Sequence, residues 1–249
     1  MVGSDAVSIA FVLFCRIGGC LMLMPGFSNI RIPLNVRLFI AISITLALTP
    51  LLAGDIEKNL SGLAPMALTK IFISETLVGA MIGFLGRSFY GALETLGGVI
   101  AMSIGLSSAL AGPIDESEPL PAITSLITLT ATASIFFSDL HWEILRGIAL
   151  SYTALPVAGI FDARFDLVQV TDCLTKSFFV SLRISSPFIT FALITNFVIG
   201  LAGKLAPQIP LYFITVPAMI IGGMFLFYII CTPFMQIFNV AFSKWLGDG

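Results

Sequence analysis

From Met66 to Ala111 the chain reads MALTKIFISETLVGAMIGFLGRSFYGALETLGGVIAMSIGLSSALA, with no proline and no obvious loop. Few charges interrupt its apolar character: Lys70, Glu75, Arg87 and Glu94. A continuous helix of this length would extend for about 68 Å at 1.5 Å per residue, more than the roughly 30 Å of a bilayer's hydrocarbon core. The segment is therefore predicted to be either a hairpin bent near Gly86-Arg87-Ser88 or one long helix that leaves the membrane.

The composition of the whole chain indicates a membrane protein. Of its 249 residues, 57% are hydrophobic and 10% are charged, and the mean hydropathy is +1.04. Soluble domains carry about 25% charged residues, so this chain has too few to cover a globular surface. A net charge of −2 with scattered Lys and Arg argues against a nucleic-acid partner. Asp5 and no Lys or Arg precede the first apolar run, which predicts a retained helix rather than a cleaved signal.

Hydropathy predicts an all-α fold of about six to eight helices. The apolar runs are Ala6–Met24, Val36–Leu52, Met66–Ala111, Ala122–Phe137, Trp142–Phe161, Leu174–Leu205 and Leu211–Phe242. Polar loops are predicted at Gly54–Gly62, Gly112–Pro121 and Asp162–Thr171. Trp142 and Tyr152 are of the type that anchors helices at the membrane interface. Basic residues occur in successive loops that would lie on opposite sides, which disfavours a simple serpentine topology.

Four charges inside the apolar runs are candidates for structural roles: Arg16, Glu75, Glu94 and Arg183. Charges in a membrane are costly and usually face protein or water. Arg16 has no acid nearby in sequence, so it is predicted to pair with Glu75 or Glu94 across helices. Glu143 and Arg146 are three residues apart and can pair on one helix face. A structural ion pair is favoured over a proton relay for each of these charges.

Small residues recur at helix-packing spacing in the same long run. Gly79 and Gly83 form a GxxxG motif, and Gly97, Ala101 and Gly105 recur every four residues. Such spacing lets helix backbones approach closely in lipid. The pattern leaves two interpretations open, which are packing within the chain and packing against other subunits.

No group of residues suggests enzymatic chemistry, a cofactor or a metal. The four cysteines have apolar neighbours and form no CxxC pair, and His141 is the single histidine. Walker A, HExxH and GxSxG motifs are absent from the sequence. The chain is therefore expected not to be an enzyme.

Several short motifs occur in an order that resembles a known family. They are Arg16-Ile-Gly-Gly, Met24-Pro-Gly-Phe, Gly97-Gly98, Gly112-Pro113, His141-Trp142, Leu155-Pro156, Leu182-Arg183 through Pro187, and Gly203 through Gln208. From about residue 10 to 240 this is similar to the FliR/SpaR/YscT family of type III secretion export gate proteins. The chain departs from the family pattern at Gly112-Pro113, Lys204 and Ile209-Pro210.

The resemblance implies a pore-forming subunit of the flagellar or injectisome export gate, with the opening motif favouring the flagellar system. It implies a FliP-like part over residues 1–172 and a FliQ-like helical hairpin over 173–249. The implied partners are FliP and FliQ in a hetero-oligomeric gate, FlhB and FlhA, unfolded flagellar proteins and the lipid membrane. The implied location is the bacterial inner membrane at the flagellar basal body.

The resemblance also implies a pore plug over about residues 103–121. Its matching positions are Ser103, Gly105, Leu106, Ser107, Ser108, Ala109, Leu110, Gly112 and Pro113. A plain exposed loop is the alternative for this segment. For the whole chain the alternative is a small-solute secondary transporter, since transporters build sites from helices broken by residues such as Pro187.

Overall fold

The computed structural model describes residues 2–28, 32–60, 65–106, 122–157, 163–206, 208 and 211–248. This part of the chain is helical and contains no strand. Its helices are α1 (Val2–Leu23), α2 (Leu34–Leu60), α3 (Pro65–Ser103), α4 (Ala122–Phe137), α5 (Leu140–Ala154), α6 (Ala163–Leu205) and α7 (Leu211–Asp248). Five of these are long and apolar enough to cross a membrane, or six if α4 and α5 together form one broken span. The predicted all-α, multi-helix membrane fold is confirmed.

The long apolar run is one helix and not a hairpin. α3 continues without a break from Pro65 to Ser103, through Gly86-Arg87-Ser88. Nothing in this stretch stops a helix, because it has no proline after Pro65 and its glycines lose only about 1 kcal/mol each relative to alanine. Of the two alternatives that the sequence allowed, the structure selects the long helix.

Two predicted loops are wrong. α2 extends to Leu60 across most of Gly54–Gly62, and α6 begins at Ala163, so it includes most of Asp162–Thr171. A low hydropathy indicates that a segment faces water rather than lipid. It does not exclude a helix, because a helix is held by backbone hydrogen bonds that polar residues also form. Prolines also fail to end the helices, since Pro50, Pro187, Pro217 and Pro233 all lie inside them.

The chain divides into two compact units. The first unit comprises residues 1–88, 139–174 and 245–249, and its core is built largely from α1, α3 and α5. The second comprises residues 89–138 and 175–244, with a core that includes Ile104, Ile127, Phe188 and Phe238. Each unit combines distant parts of the sequence. The FliP-like and FliQ-like division at residues 172 and 173 stays a prediction.

Several helices bury little of their apolar surface. In the most apolar stretch of each helix, 44% of residues are buried in α1, but only 11% in α2 and 6% in α7. Large apolar side chains on α7 are therefore exposed, among them Phe213, Ile221, Phe225 and Tyr228. Such surface requires lipid or protein to cover it.

Candidate functional site

A buried ion pair joins α1 to α3 in the first unit. The Arg16 Nε donates to Glu75 Oε2 at 2.6 Å, and Nη2 donates to Glu75 Oε1 at 2.9 Å. The exposed fraction is 1% for Arg16 and 2% for Glu75. This two-point geometry suits a guanidinium and a carboxylate, and it is among the strongest hydrogen-bonded pairs in proteins. Of the two acids considered for Arg16, the structure selects Glu75.

The remaining guanidinium hydrogens bind the end of α5. Nη1 donates to the Ser151 carbonyl oxygen at 3.0 Å and to Ser151 Oγ at 3.2 Å, and Nη2 donates to the Leu155 carbonyl oxygen at 2.9 Å. With the two bonds to Glu75, these contacts use all five donors of the guanidinium. The Ser151 carbonyl also accepts the backbone N–H of Leu155. Carbonyls at the carboxyl end of a helix carry partial negative charge, so a cation beside them is stabilising. Arg16 therefore holds the carboxyl end of α5 as well as α3.

An aromatic ring packs against the Arg16 guanidinium. The Arg16 guanidinium carbon lies 4.0 Å from the centroid of the Tyr152 ring, which allows a cation–π contact. Tyr152 is 9% exposed. The prediction that Tyr152 anchors the membrane interface is therefore wrong, because its ring is used to pack the buried cation.

Glycines bring α1 and α3 close enough for this pairing. A Cβ at Gly79 would collide with the Arg16 carbonyl, and a Cβ at Gly83 would lie 2.5 Å from the Cys20 carbonyl oxygen. On the facing helix, a Cβ at Gly19 would lie 2.8 Å from the Thr76 carbonyl oxygen. No side chain fits at these positions without movement of the backbone. The structure thus uses the GxxxG motif for contact within the chain.

The second unit uses its small residues in two ways. Gly97 packs on Thr124 of α4, where an added Cβ would lie 2.9 Å from the threonine methyl group, and Ala101 is fully buried. By contrast, nothing lies within 4 Å of a Cβ added at Gly91 or Gly98. Packing within the chain therefore explains Gly97 and Ala101 but not Gly91 and Gly98.

The other predicted charges have different surroundings. Glu94 is half-buried and Arg183 is exposed. Arg146 and Glu143 approach to 4.0 Å, but their side chains are 72% and 48% exposed. An exposed pair of this kind contributes little to stability. Among the described charges, only Arg16 and Glu75 form a fully buried ion pair.

The predicted plug begins where α3 ends. The Ser103 hydroxyl donates to the Val99 carbonyl oxygen at 2.7 Å, and Gly105 has a φ of 77°. That left-handed backbone conformation favours glycine and ends the helical direction of the chain. Leu106 is the last residue of this segment that the structure describes. The other predicted plug residues lie outside the described residues: Ser107, Ser108, Ala109, Leu110, Gly112 and Pro113.

The site is suited to holding helices together. Within the described ranges no group of three or more His, Cys, Asp or Glu residues could hold a metal ion. Sequence reasoning found both members of the ion pair but did not connect Ser151, Leu155 or Tyr152 to it. Ser151 and Leu155 contribute backbone carbonyls, which every residue has, so no sequence pattern could have revealed these two contacts.

Fold and site together define an all-α membrane protein whose long helices are packed by glycines and joined by a buried ion pair. The chain belongs to the bacterial export proteins, family 1, because the model of that family matches residues 7–245. It is therefore a membrane-embedded component of a type III export system.

Curated relatives agree with this family. The chain is 29% identical to the flagellar biosynthetic protein FliR of Caulobacter vibrioides, over 88% of this chain and 86% of that protein. It is 23% identical to FliR of Escherichia coli, over 87% and 82% of the two chains. It is also 24% identical to the Yop proteins translocation protein T of Yersinia pestis, over 90% and 86%. The similarity thus covers nearly the full length in both flagellar and Yop-translocation proteins.

Proposed function

We propose that this chain is a subunit of the flagellar type III export gate in the bacterial inner membrane. With FliP and FliQ it would form the pore for unfolded flagellar proteins, next to FlhB and FlhA in the basal body. Membership of the export family supports this proposal, as do the names of the flagellar relatives. The division into a FliP-like part and a FliQ-like hairpin is part of the same proposal.

The observation that carries an assembly role is the low burial of long helices. Only 6% of the most apolar stretch of α7 and 22% of that of α6 are buried. Both helices are among the longest in the chain. In an assembly of several subunits, this surface would be covered by neighbouring helices, whereas a self-contained membrane protein needs to bury more of its helices against each other to fix their arrangement.

The experiment that tests this role is co-expression with the FliP and FliQ proteins of the same bacterium. The chain, carrying an affinity tag, is purified in mild detergent, and the masses of intact complexes are measured. We expect a stable complex with several copies of the FliP subunit. A control purification with the tag on an unrelated membrane protein should recover neither partner. Recovery of this chain alone would contradict the proposal.

The transporter alternative has lost the observation that suggested it. α6 continues through Pro187, and α7 continues through Pro217 and Pro233, so none of these prolines divides a span into half-helices. A broken helix is what a transporter uses to expose backbone groups to a solute at mid-membrane. These prolines therefore give no support to a transporter, and the family supports the export-gate subunit.

A further inference from the structure

Both ends of the segment that joins α3 to α4 lie against a glycine within the second unit. At the first end stands Ile104, one residue beyond α3, and at the other stands Thr124, in the first turn of α4. Each of these side chains is 0% exposed. A segment with two buried ends begins and finishes at fixed points of the unit.

The first end packs into the space that the missing side chain of Gly223 leaves on α7. A Cβ at Gly223 would collide with both Cβ and Cγ2 of Ile104. The Ile104 amide donates to the Ile100 carbonyl oxygen at 3.0 Å, so the hydrogen bonding of α3 continues to this residue. The next residue, Gly105, has a φ of 77°, which ends the helical direction. The chain therefore leaves α3 directly from its contact with α7.

The second end packs on Gly97 of α3 through the shape of Thr124 and not through its hydroxyl group. A Cβ at Gly97 would lie 2.9 Å from Thr124 Cγ2 and 3.1 Å from Thr124 Oγ1. In the part of the chain that the structure describes, Thr124 Oγ1 has no hydrogen-bond partner. Burial of an unpaired hydroxyl costs free energy, so close packing against the glycine has to outweigh that cost.

The two glycines fix the positions of their partners because a packed interior leaves no space for one more methyl group. An added methyl group would displace side chains and backbone. Gly98 and Gly200, in the same unit, form the contrast, since nothing lies within 4 Å of a Cβ added at either position. Gly97 and Gly223 therefore determine where the ends of the segment lie.

We propose that Gly97 and Gly223 are positioning residues for the barrier of the export pore, because they hold both ends of the segment between α3 and α4. The inference rests on the proposed function and on the plug expected over about residues 103–121. It adds that α7, distant in sequence, sets the point from which this segment starts. The packing of α7 on Ile104 is thereby coupled to the closure of the pore.

The permeability of assembled gates tests the contact with α7. The chain with Gly223→Ala is produced together with FliP and FliQ, and uptake of a small fluorescent dye is measured per complex recovered. We expect uptake to rise about tenfold, because strain from one excess methyl group shifts a closed–open equilibrium by roughly that factor. Gly200→Ala adds the same methyl group to α6 and should leave uptake unchanged. Equal uptake per complex for the two variants would overturn the proposal.

A second pair of variants removes volume at the same contact and decides the question if Gly223→Ala does not assemble. Ile104→Ala lacks the Cγ2 that faces Gly223, so it should also raise uptake per complex. Ile104→Val keeps this atom and should match the unmodified chain. A merely structural contact would lower the yield of complexes for Ile104→Ala without changing uptake per complex, and that result would overturn the proposal.

The contact at the second end is tested by its shape. Thr124→Val keeps the branched shape and loses a hydroxyl group for which the described residues offer no partner, so uptake should stay unchanged. Gly97→Ala places a methyl group against Thr124 and should raise uptake. If Thr124→Val admitted as much dye as Gly97→Ala, packing would not position this end, and the proposal would be wrong.

Deletion of residues 106–112 distinguishes this inference from the function on which it rests. A deletion that raises uptake, together with glycine variants that do not, would overturn the inference and leave the proposed function standing. A deletion that leaves uptake unchanged in assembled gates would overturn the plug and the inference together. Increased uptake for the deletion, Gly223→Ala and Gly97→Ala is the result that we expect.

Discussion

At the scale of single residues, Arg16 links three helices through one side chain. Its guanidinium bonds Glu75 on α3 and two carbonyls at the end of α5, while its own backbone lies on α1. Burial of such a pair requires that every donor find an acceptor, because an unpaired charge in a low-dielectric interior is strongly destabilising. The five hydrogen bonds meet that requirement.

Neutralising the acid of this pair should destabilise the chain. We expect Glu75→Gln to cost about 3–5 kcal/mol, because it leaves a buried guanidinium without its counter-ion. In detergent this should lower the unfolding temperature by about 10 °C, measured by the fluorescence of the two tryptophans during heating.

Two further variants separate the ion pair from other effects of the substitution. Glu143→Gln, whose carboxylate is half-exposed, serves as the control and should change the unfolding temperature little. The double change Arg16→Met with Glu75→Leu should be less damaging than Glu75→Gln alone, since no buried charge remains. If Glu75→Gln were as stable as Glu143→Gln, the ion pair would have no structural role.

At the scale of helices, α1 and α3 depend on backbone contact at glycines. Gly79 and Gly83 lie against the Arg16 and Cys20 carbonyls, so the register of the two helices also sets the position of the Arg16 side chain. Close contact of this kind increases dispersion attraction, which is a main source of helix association in lipid. The glycines and the ion pair therefore stabilise the same arrangement.

Alanine substitutions at two glycines of α3 should change the stability of the chain differently. Gly79→Ala should destabilise the chain by about 1–3 kcal/mol, because the new methyl group overlaps the Arg16 carbonyl. Gly98→Ala adds the same methyl group to the same helix, where nothing lies within 4 Å. It should be neutral or stabilising by up to about 1 kcal/mol, because alanine favours the helix. Both are measured as unfolding temperatures in detergent, and equal shifts would contradict the packing described here.

At the scale of the whole molecule, the chain is strongly apolar but leaves much of its apolar surface exposed. The chain is 57% hydrophobic, yet α2, α6 and α7 bury little of their apolar length. Lipid can cover such surface, and so can other subunits. Arg183, which is exposed on α6, is a charged side chain that acyl chains alone do not solvate.

Removal of the predicted plug should open a leak. If the segment is a plug, deletion of Leu106–Gly112 makes cells that contain the assembled gate permeable to ions and small solutes, because the shortened segment would no longer fill the pore. The measurement is the uptake of a small fluorescent dye or the loss of membrane potential. The unmodified chain at equal expression is the control, and co-purification with FliP confirms assembly. Unchanged permeability with normal assembly would contradict the plug.

The sequence by itself determined that this protein lies in a membrane and that its fold is all-α. Its few charges and long apolar runs required a membrane and helices, since the backbone must satisfy its own hydrogen bonds in lipid. It identified Arg16 and Glu75 as charges in need of partners and Gly79 and Gly83 as contact positions. These conclusions depend on composition and local spacing, which a sequence displays directly.

Only the tertiary structure decided which groups meet. Arg16 and Glu75 are 59 residues apart, and their pairing depends on how α1 and α3 align. The carbonyls of Ser151 and Leu155 became acceptors because α5 ends beside α1. The same holds for α3, whose continuity through Gly86-Arg87-Ser88 the sequence left open. Contacts between distant segments depend on the packing of the whole unit, because local spacing constrains only neighbours on the same helix.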